Sequence, residues 1–324
     1  VFMNYYEKLS KAIIRAIKTN PEDVEAYLNY MDLCREWGKE EFKAAHKANH
    51  AFRELVSKEM LAAVEREDFI ESEKLNSILF SSLLMGAPYY FDDYLQAVEY
   101  GRPADKKFYQ PRRQYLKPMI QGYQDVLDGK LRLLTISMPK RAGKSQTGIN
   151  FVNMISGKYP DKSTLMEGTG DDLVRSFYSG MLEYLQTPNE YHYYDIFPGS
   201  PLVQTNADIK TINLLHKSRF PTVMCRSIDS RQVGLSEATN LLYLDDCVEG
   251  REEAKNRMRL DAKWEIISGD ILGRAIEGTP LVATGTRYSL YDPIGHLQDE
   301  AKKQHWAWRA IEIPALDPIT DESN

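Results

Sequence analysis

The chain has 324 residues, 43% of them hydrophobic and 27% charged, with a net charge of −6. That length supports a large core in one or two domains, and no apolar run reaches the roughly 18 to 20 residues of a membrane-spanning helix. The acidic balance argues against a protein that coats nucleic acid by bulk positive charge, and the N-terminus lacks the basic flank and apolar core of a secretion signal.

Residues 1–107 read as helical. Leu9, Ile13, Ile14 and Ile17 recur at helical spacing, and Asn20-Pro21 restarts the chain with Glu22 and Asp23 close behind. Longer helical patterns run over 40–67 and 70–84, the second stopping at Gly86-Ala87-Pro88. None carries a chemical motif, so the region is an accessory arm or a support for the core. The start at Val1 suggests a chain that extends further in its intact form.

From Phe108 the texture changes. β-rich runs at 131–137, 163–167, 222–228, 241–244 and 281–284 are followed, except for the third, by helical stretches. Such alternation predicts an α/β domain over 108–324 with a mainly parallel sheet covered by helices. The cysteines, Cys34, Cys225 and Cys247, form no CxxC or Cys/His grouping. They suit a reducing compartment and exclude a structural zinc motif of ordinary spacing.

The most informative stretch is 131–156. An apolar strand enters the loop Met138-Pro-Lys-Arg-Ala-Gly-Lys-Ser145, and a helical pattern follows to Ser156. This strand–loop–helix context is what a phosphate-binding Walker A motif requires. The main-chain N–H groups of Lys140, Arg141, Ala142, Gly143, Lys144, Ser145 and Gln146 would face phosphate oxygens at a helix N-terminus. Gly143 lets the backbone approach, Lys144 would contact the β and γ phosphates of ATP, and the Ser145 hydroxyl would ligate Mg²⁺. The departure from the motif is Met138, where a glycine is usual.

Such a loop needs an acid at the end of a neighbouring strand. The run 240–246 ends in Asp245 and Asp246, suited to holding Mg²⁺ and to serving as general base or water-orienting group respectively. Taken alone, the pair would be better explained as an apolar strand ending in a polar turn. A third strand, 281–284, runs into Gly285, Thr286 and Arg287; Thr284 and Thr286 are candidates for sensing the γ-phosphate.

Together these segments resemble the large terminase subunit of tailed phages, over about two thirds of the chain. The most specific stretch is the acid pair at 245–246 followed by Arg251-Glu-Glu-Ala254, then Thr284-Gly-Thr-Arg287 and Asp292-Pro-Ile-Gly-His-Leu297. The resemblance implies a P-loop ATPase of the additional-strand type that drives double-stranded DNA into a procapsid. It would act in the host cytoplasm as a homo-oligomeric ring, a pentamer by family habit, with the portal protein and the small terminase subunit as partners and no membrane involved. In the family a substituent for the first loop glycine is common, which accommodates Met138.

The resemblance also implies roles residue by residue. Tyr109 and Gln110 match the adenine-recognition segment, and Lys140 or Arg141 the basic residue near the γ-phosphate. Thr284 to Thr286 match the coupling motif. Arg231 is the first choice for an arginine finger offered to a neighbouring subunit, with Arg274 and Arg287 behind it. The family's second acid is often Glu, so Asp246 leaves the catalytic carboxylate less fixed. The family's C-terminal nuclease domain is expected to be absent from this chain, and with it any DNA cleavage. Two other readings stay open: another P-loop translocase or helicase, and a nucleotide-binding scaffold that does not hydrolyse.

Overall fold

A computed structural model describes residues 5–230 and 236–314. The chain divides into two compact units, Val1–Tyr100 and Gly101–Asn324. The change of texture at 107/108 falls a few residues later. The segment between holds the 3₁₀ turn Ala104–Lys106, and a second turn, Gln110–Arg112, leads directly into the next helix.

The first unit is helical: α1 Tyr5–Thr19, α2 Val24–Glu65, α3 Phe69–Gly86 and α4 Phe91–Val98. Asp23 caps α2 by accepting from the Ala26 N–H, and Asp68 caps α3 by accepting from Glu71 N–H. The restart at Pro21 and the pattern expected over 40–67 fall within one helix, α2, bent at Glu41 (φ −142°, ψ 72°). Ile17, Tyr27, Tyr30, Phe52, Val56, Leu75 and Ile78 form its core.

In the second unit α5 (Arg113–Leu127) precedes β1 (Leu133–Ser137), and α6 (Lys144–Lys158), β2 (Thr164–Gly168), α7 (Asp171–Gln186) and α8 (Tyr193–Ile196) follow. Next come β3 (Leu202–Asn206), β4 (Thr211–Leu214), β5 (Val223–Ser227) and β6 (Leu241–Asp245). The chain then runs through α9 (Arg251–Ala254), α10 (Arg257–Ile266), β7 (Leu281–Gly285), α11 (Pro293–Lys303) and β8 (Trp308–Glu312). The described residues form one eight-stranded sheet in the order β3-β4-β5-β2-β6-β7-β1-β8. The pairs from β5 through β8 are parallel, while β3–β4 and β4–β5 are antiparallel.

The expected strands at 163–167, 222–228, 241–244 and 281–284 correspond to β2, β5, β6 and β7, while β8 and the β3–β4 hairpin are additions. That hairpin turns at Asn206, whose side-chain oxygen accepts from the N–H groups of Asp208 and Ile209. Alternation on β1 separates two helical layers. Leu134 lies under Gly122 of α5, whereas Thr135 accepts from Gln298 of α11. All residues of β2, β6 and β7 are buried, as a parallel sheet covered on both faces requires. No helix among the described residues is long and apolar enough to cross a membrane.

Candidate functional site

One strand, β7, lies between β1 and β6. Parallel pairing in register (Ser137 with Gly285, Asp245 with Thr284) brings the carboxyl ends of all three strands together. The loop after β1 is tied to β7 at its root: Met138 N–H donates to Gly285 O at 3.1 Å, and Thr286 Oγ1 donates to Met138 O at 3.0 Å. At its far end Gly143 adopts a left-handed conformation (φ 94°, ψ 6°) and caps α6. A side chain there would be strained, and a Cβ would also come within 3.1 Å of the Phe108 ring.

Lys144 opens α6 with its side chain only 5% exposed, and its Nζ donates to Asp246 Oδ2 at 3.0 Å. Asp246 is itself unusual, a non-glycine residue at φ 43°. Aspartate tolerates this region better than most residues, and such backbone concentrates at functional sites. The turn is held by Asp246 N–H donating to Thr284 O at 2.9 Å and by Asp246 Oδ1 accepting from Thr286 N–H at 3.1 Å.

Asp245, the last residue of β6, is fully buried. Its Oδ1 accepts from Thr284 Oγ1 at 2.5 Å, and its Oδ2 has no hydrogen-bond partner among the described residues. Burial raises its pKa above the ordinary carboxylate value, and the Asp246 charge adds to the rise. The Thr284 hydroxyl, Lys144 and the Ser145 hydroxyl pull the other way without cancelling it. A buried carboxylate oxygen without a donor, beside a serine hydroxyl, is a place a small divalent cation would satisfy.

A chain of buried hydroxyls runs back from Thr284. Tyr243 Oη lies 3.5 Å from Thr284 Oγ1 and 3.0 Å from the Tyr123 hydroxyl on α5. Gly148 of α6 makes room for it, since a Cβ there would lie 2.0 Å from Tyr243 Oη. Burial, above all, pushes both tyrosines well above the ordinary phenol value.

The remaining candidates separate clearly. Lys140 and Arg141 are exposed on the loop, Ala142 is half-buried, and Arg141 is left-handed at φ 66°. Ser145 stands next to Asp245. Gln146 donates to Tyr184 Oη at 3.0 Å. Tyr109 is 1% exposed, packed inside the unit, and Gln110 is exposed. The side chains that meet the loop from this segment are Phe108 and Arg112, both within 4 Å of a Cβ built on Gly143. The Arg112 guanidinium lies over the Phe108 ring at 5.2 Å. The expectation for this segment fell on Tyr109 and Gln110, whereas the ring and guanidinium four apart, Phe108 and Arg112, are the ones beside Gly143.

Arg231 lies outside the described residues. Arg274 bonds the side chain and carbonyl of Ser236. Arg287 pairs with Asp292 and also reaches Gln298, Ser289 O and Leu290 O. Both are therefore engaged within their own chain. Among the described residues no three of His, Cys, Asp and Glu gather as a metal cage, so a cation held by Asp245 and Ser145 would take the rest of its ligands from substrate or water. No protein-family model matches the chain, and no curated protein matches it.

Proposed function

We propose that this chain is the ATP-hydrolysing motor domain of a terminase large subunit, which drives double-stranded DNA into a procapsid. The observation that carries the reading is the pairing of Lys144 with Asp246 beside the buried Asp245. It places a loop cation and two acids at adjoining strand ends, with one strand between their own strands. That strand order is what the additional-strand type of P-loop ATPase demands, and the left-handed Gly143 at the start of α6 supports the phosphate-loop assignment.

In this reading the N–H groups of 140–146 bind the ATP phosphates and Lys144 exchanges Asp246 for the β and γ oxygens. Asp246, so released, aligns water on the γ-phosphorus and accepts its proton as the bond to the β–γ bridging oxygen breaks and ADP leaves. Mg²⁺, held by Ser145 and Asp245, would neutralise charge on the β and γ oxygens. Thr284 and Thr286 touch Asp245 and Asp246 directly, which suits them to passing phosphate loss to the strand behind them. Ring assembly, the portal protein, the small terminase subunit and a trans arginine at Arg231 belong to the same proposal.

The scaffold reading draws on one observation: Asp246 is engaged on both oxygens, by Lys144 and by Thr286 N–H. Steady-state phosphate release against protein concentration separates the two for wild type, Lys144→Ala and Arg231→Ala. A motor gives a rate per subunit that climbs with concentration, disappears in the Lys144 variant and flattens in the Arg231 variant. Absence of release from wild type, together with tight nucleotide binding, would favour the scaffold.

A further inference from the structure

A concavity opens beside the loop, lined by Met138 and Pro139 at its start and by Thr286. Its volume is about 950 Å³, and Lys140, Arg251, Arg287, Tyr288, Ser289 and Glu312 contribute polar groups to its walls. The Lys140 and Arg251 side chains are exposed, and neither is engaged in an ion pair among the described residues. Of the acids on the neighbouring helices, Glu252 pairs with Lys255, Glu253 with Lys263 and Asp261 with Arg257, while Glu265 is exposed. Glu312 is the one acid on the wall.

Two arginine–tyrosine pairs mark this face. Arg251 lies over Tyr288 at 5.9 Å, and just beyond the cleft Arg257 lies over Tyr291 at 3.9 Å. Stacking on a ring fixes the plane of a guanidinium while leaving its N–H donors outward. Leu290 at 80% exposure and Met258 at 82% stand beside them. No Asn or Gln lines the cleft, so the amides that commonly read adenine edges are missing and the donors are cations and hydroxyls, a set suited to phosphate oxygens.

We propose that this cleft seats the sugar-phosphate backbone of duplex DNA, held by Lys140 and Arg251, with Tyr288 orienting Arg251. The inference deepens the motor reading and rests on it for the choice of duplex DNA among polyanions. It joins the surface that grips DNA to the site through Thr286, which lines the cleft and donates its N–H to Asp246.

The test is fluorescence anisotropy of short labelled duplexes of two unrelated sequences, measured over a range of salt with the full chain. Wild type should bind both alike. Arg251→Ala should weaken binding on the order of three- to tenfold at low salt and lower the magnitude of the log–log salt slope by about 0.9, the loss of one phosphate contact. Arg251→Lys should keep the slope, Tyr288→Ala should weaken binding, and Tyr288→Phe should not. Lys302→Ala removes an exposed cation at the opposite end of the strands, paired with Asp299, and should change nothing.

Binding of a fluorescent ADP analogue to the Arg251 and Tyr288 variants should match wild type. That readout, with phosphate release by wild type, reports on the motor reading separately from the cleft. Should Arg251→Ala lose its circular-dichroism signal, Lys140→Ala supplies the same slope test. Equal affinity and slope in wild type and the cation variants would overturn the proposal, as would no duplex binding by wild type at low salt.

Discussion

Lys144 Nζ lies 3.0 Å from Asp246 Oδ2, although 102 residues of sequence separate the two. A buried cation and a left-handed carboxylate thus hold each other at the strand ends. Asp246→Asn keeps the shape of the side chain but removes its capacity as a base. Phosphate release should fall by about 10²- to 10⁴-fold, the usual contribution of a positioned base. Binding of a fluorescent nucleotide should persist or tighten, because Lys144 no longer has a carboxylate to leave. A rate within twofold of wild type, by contrast, would remove Asp246 from the chemistry.

The hydroxyl chain behind Asp245 makes a prediction that needs no catalysis. Tyr243→Phe deletes the group between Tyr123 and Thr284 and should lower stability by about 1 kcal/mol. Gly148→Ala would force a Cβ to within 2.0 Å of Tyr243 Oη, overpacking that costs about 1 to 3 kcal/mol. Removal of that hydroxyl should relieve part of the strain, so the double variant should be more stable than the sum of the single effects. Urea midpoints of the four proteins give the coupling, and strict additivity would show that the two sites do not touch.

How much of this was legible in sequence depends on whether the signal was local. Gly143, Lys144 and Ser145 are consecutive and sit between an apolar strand and a helix, so their context could be read directly. Asp245 and Asp246 closed an apolar run in the same way. Phe108 could not be found so easily, because its contact with Gly143 is a tertiary one across 35 residues. Tyr109, its neighbour, is one position out of phase and turns into the core. Arg287 offered a cation at a strand end, but Asp292, five residues on, pairs with it. The β3–β4 hairpin was missed because exposed polar positions on β3 carry none of the apolar continuity that marked the central strands. In the helical unit the second pattern was expected from residue 40, and the chain bends at Glu41 without breaking.

The first unit has its own acid sensitivity. Asp93 is 1% exposed, and it bonds Arg53 at 2.5 Å and 2.7 Å and His46 at 2.8 Å. Burial works to raise its pKa, but the Arg53 and His46 hydrogen bonds outweigh burial and hold it below the ordinary 3.8. A carboxyl depressed in the folded state adds stability that is fully present above the unfolded value and is lost as pH falls through the folded one. Thermal unfolding of the full chain should therefore lose this contribution from about pH 4 downward. Asp93→Asn should lack that component. It should also be destabilised at neutral pH by about 3 to 5 kcal/mol, since the buried Arg53 loses its charge partner. Identical pH profiles in the two proteins would show that Asp93 does not control the acid limb.

In the proposed reading, Phe108 would decide which face of the segment before the loop meets the nucleotide. Its ring touches the space over Gly143, and Arg112 lies on that ring while donating to Phe108 O at 2.9 Å. A base leaving the phosphate loop on this side would meet the ring and the guanidinium, two groups that stack on any purine. Phe108→Ala should raise KM for ATP by about 5- to 100-fold, the usual effect of losing one stacked ring, with kcat little changed because the lost contact is equal in ground and transition states. Phe108→Trp should retain binding. Tyr109→Phe should leave KM alone, because that ring is packed inside the unit and not at the loop. Steady-state kinetics on the three variants, with Gln110→Ala beside them, distinguish the alternatives. If KM responds to Gln110 and Tyr109 but not to Phe108, the base lies where the family resemblance put it, and the Phe108–Arg112 pair merely braces the loop.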